Sequence, residues 1–302
     1  MPLPAALSLD LRGRSLTRIR DWTAAEIEAV LDLADELKVQ QREREPHRLL
    51  EGRTLGLLFR KHSTRTRVSL EVAAAHLGAT ALYLPGEQLQ LERGESVEDT
   101  ARVLSRYLDA LAVRTHEHAE VETFAAVSGV PVVNALTDEA HPLQALADLQ
   151  TNRERVGTLD GVRVGWVGDG TNVCVSLAEA CALLGAELTC AAPPGYEPND
   201  PSIRLVRDPR EAVQGAHVLV TDVWVSMGQE DERDERTADL AGYSLDADLL
   251  ALADPEAIVL HCLPAHPGEE ITADVLYGPR SAVWDEAENR LHTAKAVLAL
   301  TV

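Results

Sequence analysis

The stretch TLGLLFRKHSTRTRVSLEVAAAHLG, residues 54–78, carries two structural periods in one short span. Residues 54–59 are a short, mostly apolar run with Arg53 before it and Arg60 and Lys61 after it, the pattern of a strand buried on both faces. Residues 63–77 then change to helical spacing. A buried strand that feeds a helix through a short polar turn is a βα unit, and repeated βα units build parallel sheets covered by helices.

The alternation extends in both directions from this stretch. Residues 23–37 have apolar positions at helical spacing, with Asp21 or Thr23 available as cap. Residues 79–84 read as a strand and residues 85–94 as a polar, glycine-bearing loop. Ser96 and Asp99 have the spacing of a capping box for a helix reaching about residue 107. A strand at 110–114, a helix at 117–127 and a strand at 131–136 complete one α/β set. Pro142 suits the first turn of a helix over 141–155 that bridges into a second set. That set comprises a strand at 162–167, a helix at 173–184, a strand at 187–191, a helix at 209–215 and strands at 218–223 and 257–260. The acidic stretch 230–235 reads as a solvated loop. The expected fold class is α/β: two similar-sized domains, each a mostly parallel sheet flanked by helices, joined by interdomain helices.

Composition narrows the function. A formal charge of −21 over 302 residues and a pI of about 4.8 argue against nucleic-acid binding, which needs a basic surface to release phosphate counterions, and against a polybasic membrane anchor. No apolar run approaches the ~18 residues of a membrane helix, and Asp10, Arg12, Arg14 and Arg18 stand where a signal core would be, so a cytoplasmic protein is expected. Cys174, Cys181, Cys190 and Cys262 form no C-x-x-C pair and suit reduced thiols. Cys174 and Cys181 are seven apart on a predicted helix and read as core.

Several residues carry chemistry. Ser63, Thr64, Arg65, Thr66 and Arg67 fall where a strand gives way to a helix, and a helix start offers backbone N–H groups and a positive dipole end to an anion. Hydroxyls add donors there, and Arg65 and Arg67 add permanently charged ones, which describes a phosphate cradle without a glycine loop. The plainer reading of the same residues, a capped helix followed by two exposed arginines, stays open. His141 and Gln144 lie three apart at another helix start and can face one point, as donor to an oxyanion and as amide clamp, or His141 can simply cap. Gly168-Asp169-Gly170 follows a strand, yet Val173 stands where a dinucleotide fingerprint needs its third glycine, so that fingerprint fails. Asn172 still sits at the carboxyl end of a strand, where α/β proteins bind ligands.

Asp222 ends one strand and is followed by Ser226, Met227 and Gly228, while His261-Cys262-Leu263-Pro264 ends another. An Asp with a Cys beside it accepts hydrogen bonds from an ammonium-bearing substrate and helps it lose a proton. A Cys262 nucleophile activated by His261 is disfavoured, since neighbouring strand residues point to opposite faces. His116, His118, His217 and His266 lack a ligand spacing with a supporting carboxylate, so no metal and no cofactor is expected. Arg114 ends a strand, either buried beside an anion site or at the surface.

Five segments taken together are far more specific than any one of them. These are S-T-R-T-R at 63–67, G-E-S-x-x-D-T-A-R-V-L at 94–104, H-P-x-Q at 141–144, D-x-x-x-S-M-G at 222–228 and H-C-L-P at 261–264. In that order, from about Arg53 to the C-terminus, the chain resembles the ornithine carbamoyltransferases. Sister aspartate carbamoyltransferases are similar in the phosphate motif and H-P-x-Q but lack S-M-G and H-C-L-P. The resemblance implies transfer of a carbamoyl group from carbamoyl phosphate to the side-chain amine of L-ornithine, giving L-citrulline and phosphate, in arginine biosynthesis or catabolism. It implies a carbamoyl phosphate domain at 1–148, an ornithine domain at 149–284, and a C-terminal helix at 285–302 returning to the first.

By the same resemblance Ser63, Thr64, Arg65 and Thr66 hold phosphate, and Arg114, His141, Gln144 and Arg290 surround the carbamoyl group. Asn172, Asp222, Ser226 and Met227 hold ornithine, with Cys262 and the Leu263 carbonyl near its amine. Hinge closure and ordered binding, with carbamoyl phosphate first, are implied too. So is a homotrimer or a multiple of trimers, in which a loop matching 88–94 reaches a neighbour's site; here that loop carries Glu92. After H-C-L-P the chain reads Ala265-His266-Pro267, where many relatives carry arginine at the last position. A carbamoyltransferase for another amine such as putrescine, and a non-catalytic anion-binding paralogue, are the competing readings.

Overall fold

Phe59 and Arg114 end neighbouring parallel strands and lie in register with each other. The computed structural model describes residues 9–226 and 228–302. The chain divides into two units, one reaching to Gln150 and including Glu288–Val302, the other Thr151–Ala287. In the first unit, helix α1 (Ala24–Arg42) begins at Thr23, whose side chain accepts from Glu26 N while the Glu26 carboxylate accepts from Thr23 N at 2.7 Å. That reciprocal box satisfies two N–H groups that the helix leaves open.

Then come β1 (Thr54–Phe59), α2 (Arg65–His76), β2 (Thr80–Pro85), α3 (Val97–Leu104), β3 (Ala110–Arg114), α4 (His118–Val127) and β4 (Val132–Leu136). The strands form one parallel sheet in the order β2-β1-β3-β4. β1 and β3 are buried almost throughout, which is why they read as continuous apolar runs instead of alternating ones. Leu58, Leu111, Val113, Phe124 and Val132 make the core around them.

Helix α5 (Pro142–Val156) leads to the second unit's elements: β5 (Arg163–Val167), α6 (Asn172–Leu183), β6 (Glu187–Ala191), β7 (Arg204–Val206), α7 (Pro209–Val213), β8 (Val218–Thr221), α8 (Arg233–Leu240), α9 (Ala247–Leu250), β9 (Ile258–His261) and α10 (Ala273–Leu276). These strands are also all parallel, in the order β7-β6-β5-β8-β9. Cys174, Cys181 and Cys190 pack in its core with Trp166 and Leu177, and all four cysteines are free thiols. Helix α11 (Val283–Thr301) closes the chain. Among the described residues no helix is long and apolar enough to cross a membrane.

Some expectations need correction. The acidic stretch at 230–235 is not a loop: a 3-10 turn, Glu230–Glu232, runs into α8. α8 is polar nearly all round, and only Arg236 and Leu240, one turn apart, are buried, so no apolar stripe announces it. The loop at 85–94 contains two 3-10 turns, Gly86–Gln88 and Gln90–Arg93. β7, three residues long, and the four-residue helices α9 and α10 are too short for a periodic signal.

Both strand orders contain a point at which the chain changes direction across the sheet. In the first sheet β2 lies on one side of β1 and β3 on the other; in the second, β6 and β8 flank β5 in the same way. At such a point the connections leave the sheet on opposite sides, and the crevice beyond the carboxyl ends of the two strands is where α/β folds hold ligands.

In the first unit α11 is tied to α1 by buried polar groups. Lys38 Nζ donates to Asn289 Oδ1 at 2.6 Å, and the fully buried Lys295 donates to Leu37 O at 3.3 Å, Gln41 Oε1 at 2.9 Å and His47 Nε2 at 3.2 Å. Burial lowers Lys295 from 10.5 to about 8. The unfolded chain therefore keeps this proton between pH 8 and 10.5 while the folded chain releases it, so the group's contribution to stability rises with pH across that window. We predict that the urea midpoint of the native protein, measured relative to that of Lys295→Met, increases from pH 7.5 to pH 9.5; a pH-independent difference contradicts the assignment.

Candidate active site

The first switch point gathers most of the residues singled out in that half of the chain. Ser63 Oγ accepts from Thr66 N at 3.2 Å and so caps α2, while Thr64 adds no side-chain cap. Thr64 is exposed and Ser63 and Arg65 are half-buried. The two arginines of the segment part company. Arg67 pairs with Glu71 at 2.9 Å and lies over the Tyr83 ring at 3.7 Å, whereas the charge of Arg65 acts on His141. The capped helix and the anion cradle are thus compatible readings of one segment, with one arginine in each role. Arg114, the last residue of β3, is 5% exposed and so belongs to the interior, not the surface.

Arg290 on α11 joins distant parts of this unit. Its Nη2 donates to Thr66 Oγ1 at 2.7 Å, and its Nη1 donates to Gln144 Oε1 at 2.6 Å and faces His141 Nε2 at 3.5 Å. Gln144 Nε2 in turn donates to Asp148 Oδ1 at 2.8 Å, which fixes the amide so that its oxygen meets the guanidinium. Burial first, then the charges of Arg290, Arg114 and Arg65, hold His141 well below the ordinary imidazole value. It is a neutral ring at neutral pH, and with Nε2 facing a donor the proton belongs on Nδ1. Asp148 was not singled out from sequence, although its place one turn after Gln144 is a usable signal. Glu92, in the loop before α3, pairs with Arg60 of its own chain at 3.0 Å.

The second switch point brings together Thr171, Asn172, Asp222 and Cys262. Asn172 is the first residue of α6, and Thr171 Oγ1, just before it, donates to Asp222 Oδ2 at 3.0 Å. Asp222 Oδ1 accepts from Val223 N at 2.8 Å and from Cys262 Sγ at 3.0 Å. Ser226 is anchored through its backbone N to Gln229 Oε1 at 3.1 Å. Met227 lies outside the described residues. The glycine turn supports this site by packing: a Cβ on Gly170 would sit 2.2 Å from Pro198 N. Between the glycines, Asp169 is held by Arg236, whose Nε also donates to Trp224 O at 2.6 Å. Burial raises Asp169 to about 6, with the Asp222 charge adding to the rise and Arg236 opposing it. This Asp169–Arg236 clamp escaped the sequence because its arginine lies on α8.

His261 turns away from nucleophile activation. Its Nδ1 accepts from Leu263 N at 2.9 Å, so the proton is on Nε2, which donates to Glu270 Oε1 at 3.2 Å; its own backbone N donates to Glu286 Oε2 at 2.8 Å. Leu263 takes a left-handed φ of +59°. Among the described residues, two trios bring metal-ligand atoms within 4.8 Å of one another: Asp222, His261 and Cys262, and His266, Glu269 and Glu270. The second corrects the expectation that His266 lacks supporting carboxylates, which stand three and four residues after it.

Comparison with known proteins agrees over nearly the whole chain. Residues 14–154 match the family described as aspartate/ornithine carbamoyltransferase, carbamoyl-P binding domain, and residues 160–301 match the Asp/Orn binding domain of the same family. The chain is 51% identical over 306 residues to a protein of Pyrococcus abyssi named ornithine carbamoyltransferase, with 97% of this chain and 96% of that one covered. It is 50% identical over 308 residues, covering 97% and 98%, to one of Pyrococcus furiosus named ornithine carbamoyltransferase, anabolic. Among solved structures, the ornithine carbamoyltransferase of Pyrococcus furiosus superimposes with a TM-score of 0.94 at 50% identity, covering 97% of this chain and 98% of that one. That of Thermus thermophilus gives 0.87 at 47% identity, covering 94% and 97%. Motif order, two parallel sheets with polar side chains gathered at their switch points and these similarities agree: the chain belongs to the aspartate/ornithine carbamoyltransferase family.

Proposed function

We propose that the protein transfers the carbamoyl group of carbamoyl phosphate to the side-chain amine of L-ornithine, giving L-citrulline and phosphate. The observation that carries this reading is the Arg290 guanidinium, held by Thr66 at the start of α2 and by Gln144 on α5, with the buried Arg114 close enough for its charge to act on the same His141. Ser63, Thr64, Arg65 and Thr66 grip the phosphate. Arg114, Gln144 and Arg290 surround the carbamoyl group, and neutral His141 donates from Nδ1 to the oxygen on which charge develops. Donors fixed in advance around that oxygen stabilise the tetrahedral intermediate without reorganising.

Asn172, Asp222, Ser226 and Met227 fix the α-amino and α-carboxylate groups of ornithine, and Cys262 with the Leu263 carbonyl faces its side-chain amine. A free amine of this kind titrates near ~10.4, so the site must favour loss of its proton before attack. The neutral nitrogen then forms the C–N bond. The C–O bond to phosphate breaks, and the second amine proton leaves with the phosphate. No covalent enzyme intermediate is needed. Anabolic use, a homotrimer and a cytoplasmic setting belong to the same proposal; the first rests on the name of the Pyrococcus furiosus relative, the second on the motif resemblance and the third on the hydropathy pattern of the sequence.

Three measurements test it. Incubating the protein with carbamoyl phosphate and, in parallel, ornithine, putrescine and aspartate gives ureido product with ornithine and little with the others; product with putrescine or aspartate alone, or with none, overturns the proposal. Arg65→Ala raises KM for carbamoyl phosphate by about 10- to 150-fold, the worth of one charge-assisted hydrogen bond, while the far-UV spectrum stays native; an unchanged KM removes Arg65 from the cradle. Cys262→Ser keeps measurable turnover, because a hydroxyl can still donate to Asp222, and total loss in a folded variant would bring back the covalent route.

A further inference from the structure

Beyond the β9 end, within six residues, the chain folds three ligating side chains onto one another. Gly268 N donates to Ile271 O at 2.8 Å and Glu269 N to His266 O at 2.9 Å, closing a tight turn. That turn brings one ligand-type atom each of His266, Glu269 and Glu270 within 4.8 Å of the others.

The two carboxylates are arranged alike. Glu269 Oε1 pairs with Arg233, and Glu270 Oε1 accepts from His261 Nε2 and from His266 N. In each the other oxygen, Oε2, is buried and has no hydrogen-bond partner. The Glu270 side chain is 0% exposed, and its Oε2 faces His266 Nδ1 at 3.8 Å. A buried carboxylate oxygen without a donor is costly to the fold, the more so when ionised. One such oxygen facing an imidazole nitrogen and a second on the adjacent glutamate, with the other oxygens already engaged, are the arrangement that a cation completes.

We propose that His266 Nδ1, Glu269 Oε2 and Glu270 Oε2 bind one divalent first-row metal ion of the zinc type. One nitrogen and two oxygens are a donor set Zn²⁺ accepts, with a fourth position left to water. Zn–N and Zn–O lengths of about 2.0–2.2 Å need donors roughly 3.4 Å apart, so the trio must draw in by about an ångström or so. His266 and Glu269 are both partly exposed, while Glu270 is fully buried and held by His261 and His266 N. The trio of Asp222, His261 and Cys262 is a poorer candidate, because both ring nitrogens of His261 are already bonded, to Leu263 N and Glu270. An ion on Glu270 Oε2 ties the 266–270 turn to the carboxylate that orients His261, and through it Leu263. The inference does not depend on the proposed reaction, and its readout is metal binding.

Zinc chloride is titrated calorimetrically into the metal-stripped protein in thiol-free buffer, with Cys262→Ser, His266→Ala and Glu269→Gln in parallel, each checked for native circular dichroism. One ion per chain is expected for the native protein and Cys262→Ser, with binding at least tenfold weaker in His266→Ala and in Glu269→Gln. Thermal midpoints follow the same order, rising with zinc only where the ion binds, as mass action requires. Absence of binding to the native protein, binding unchanged in both turn variants, or binding lost in Cys262→Ser overturns the assignment.

Discussion

A guanidinium that is 5% exposed has to be satisfied by the protein around it, and the first half of the site is built on how Arg290 is satisfied. The oxygens it meets, Thr66 Oγ1 and Gln144 Oε1, are neutral acceptors. They fix the guanidinium plane without cancelling its charge. Elsewhere in the unit Arg67 pairs with Glu71, and Arg60 with Glu92 and Glu120. After burial itself, the Arg290 charge helps keep the neighbouring His141 uncharged. A neutral ring is the better instrument there, since a second cation beside Arg290, Arg114 and Arg65 would repel its own neighbours and gain nothing in direction.

The same topology serves both units for different ends. Each sheet reverses at its middle, and the carboxyl ends of the strands there supply side chains: Arg114 at the end of β3 in the first, Asp222 just after β8 in the second. The chemistry diverges in the segment that each strand leads into. β1 gives way to a helix start with hydroxyls and arginines, suited to an anion. β5 leads to Asn172 and is opposed by Asp222 with its Cys262 donor, suited to a group that carries an ammonium.

The strands are legible in sequence because parallel strands buried on both faces are short apolar runs, and β1 and β3 coincide residue for residue with such runs; β6, less apolar, also falls on its predicted residues. The helix α8 is not legible, because it buries only Leu240 and an arginine, Arg236, held by Asp169, 67 residues away in the chain. Of the site, the segments with a local mechanism, such as Ser63 capping α2 or Gln144 one turn before Asp148, can be read from spacing alone. Arg290 cannot: nothing near it on α11 shows that it will meet Thr66. Only the ordered set of motifs reaches such a residue. His261 is the instructive intermediate. Alternation along β9 separates it from Cys262, but its real partner, Glu270, lies beyond a turn that composition alone does not reveal.

That partner changes what H-C-L-P means physically. A leucine in left-handed backbone carries a cost of roughly 1–2 kcal/mol and persists only where its surroundings hold it. Here the Leu263 N–H is received by His261 Nδ1, and the tautomer that permits this is fixed by Glu270 accepting from Nε2. The imidazole is therefore a fixed acceptor whose lone pair is already occupied, and it has no capacity left to draw a proton from Cys262. The thiol is likewise turned to Asp222. With His261 committed in this way, what the strand end offers the proposed reaction is the aim of the Leu263 carbonyl and of the thiol that donates to Asp222. In the proposed reaction, rate enhancement at this half of the site comes from orientation and from the neutral form of the incoming amine, for which the position of that carbonyl matters.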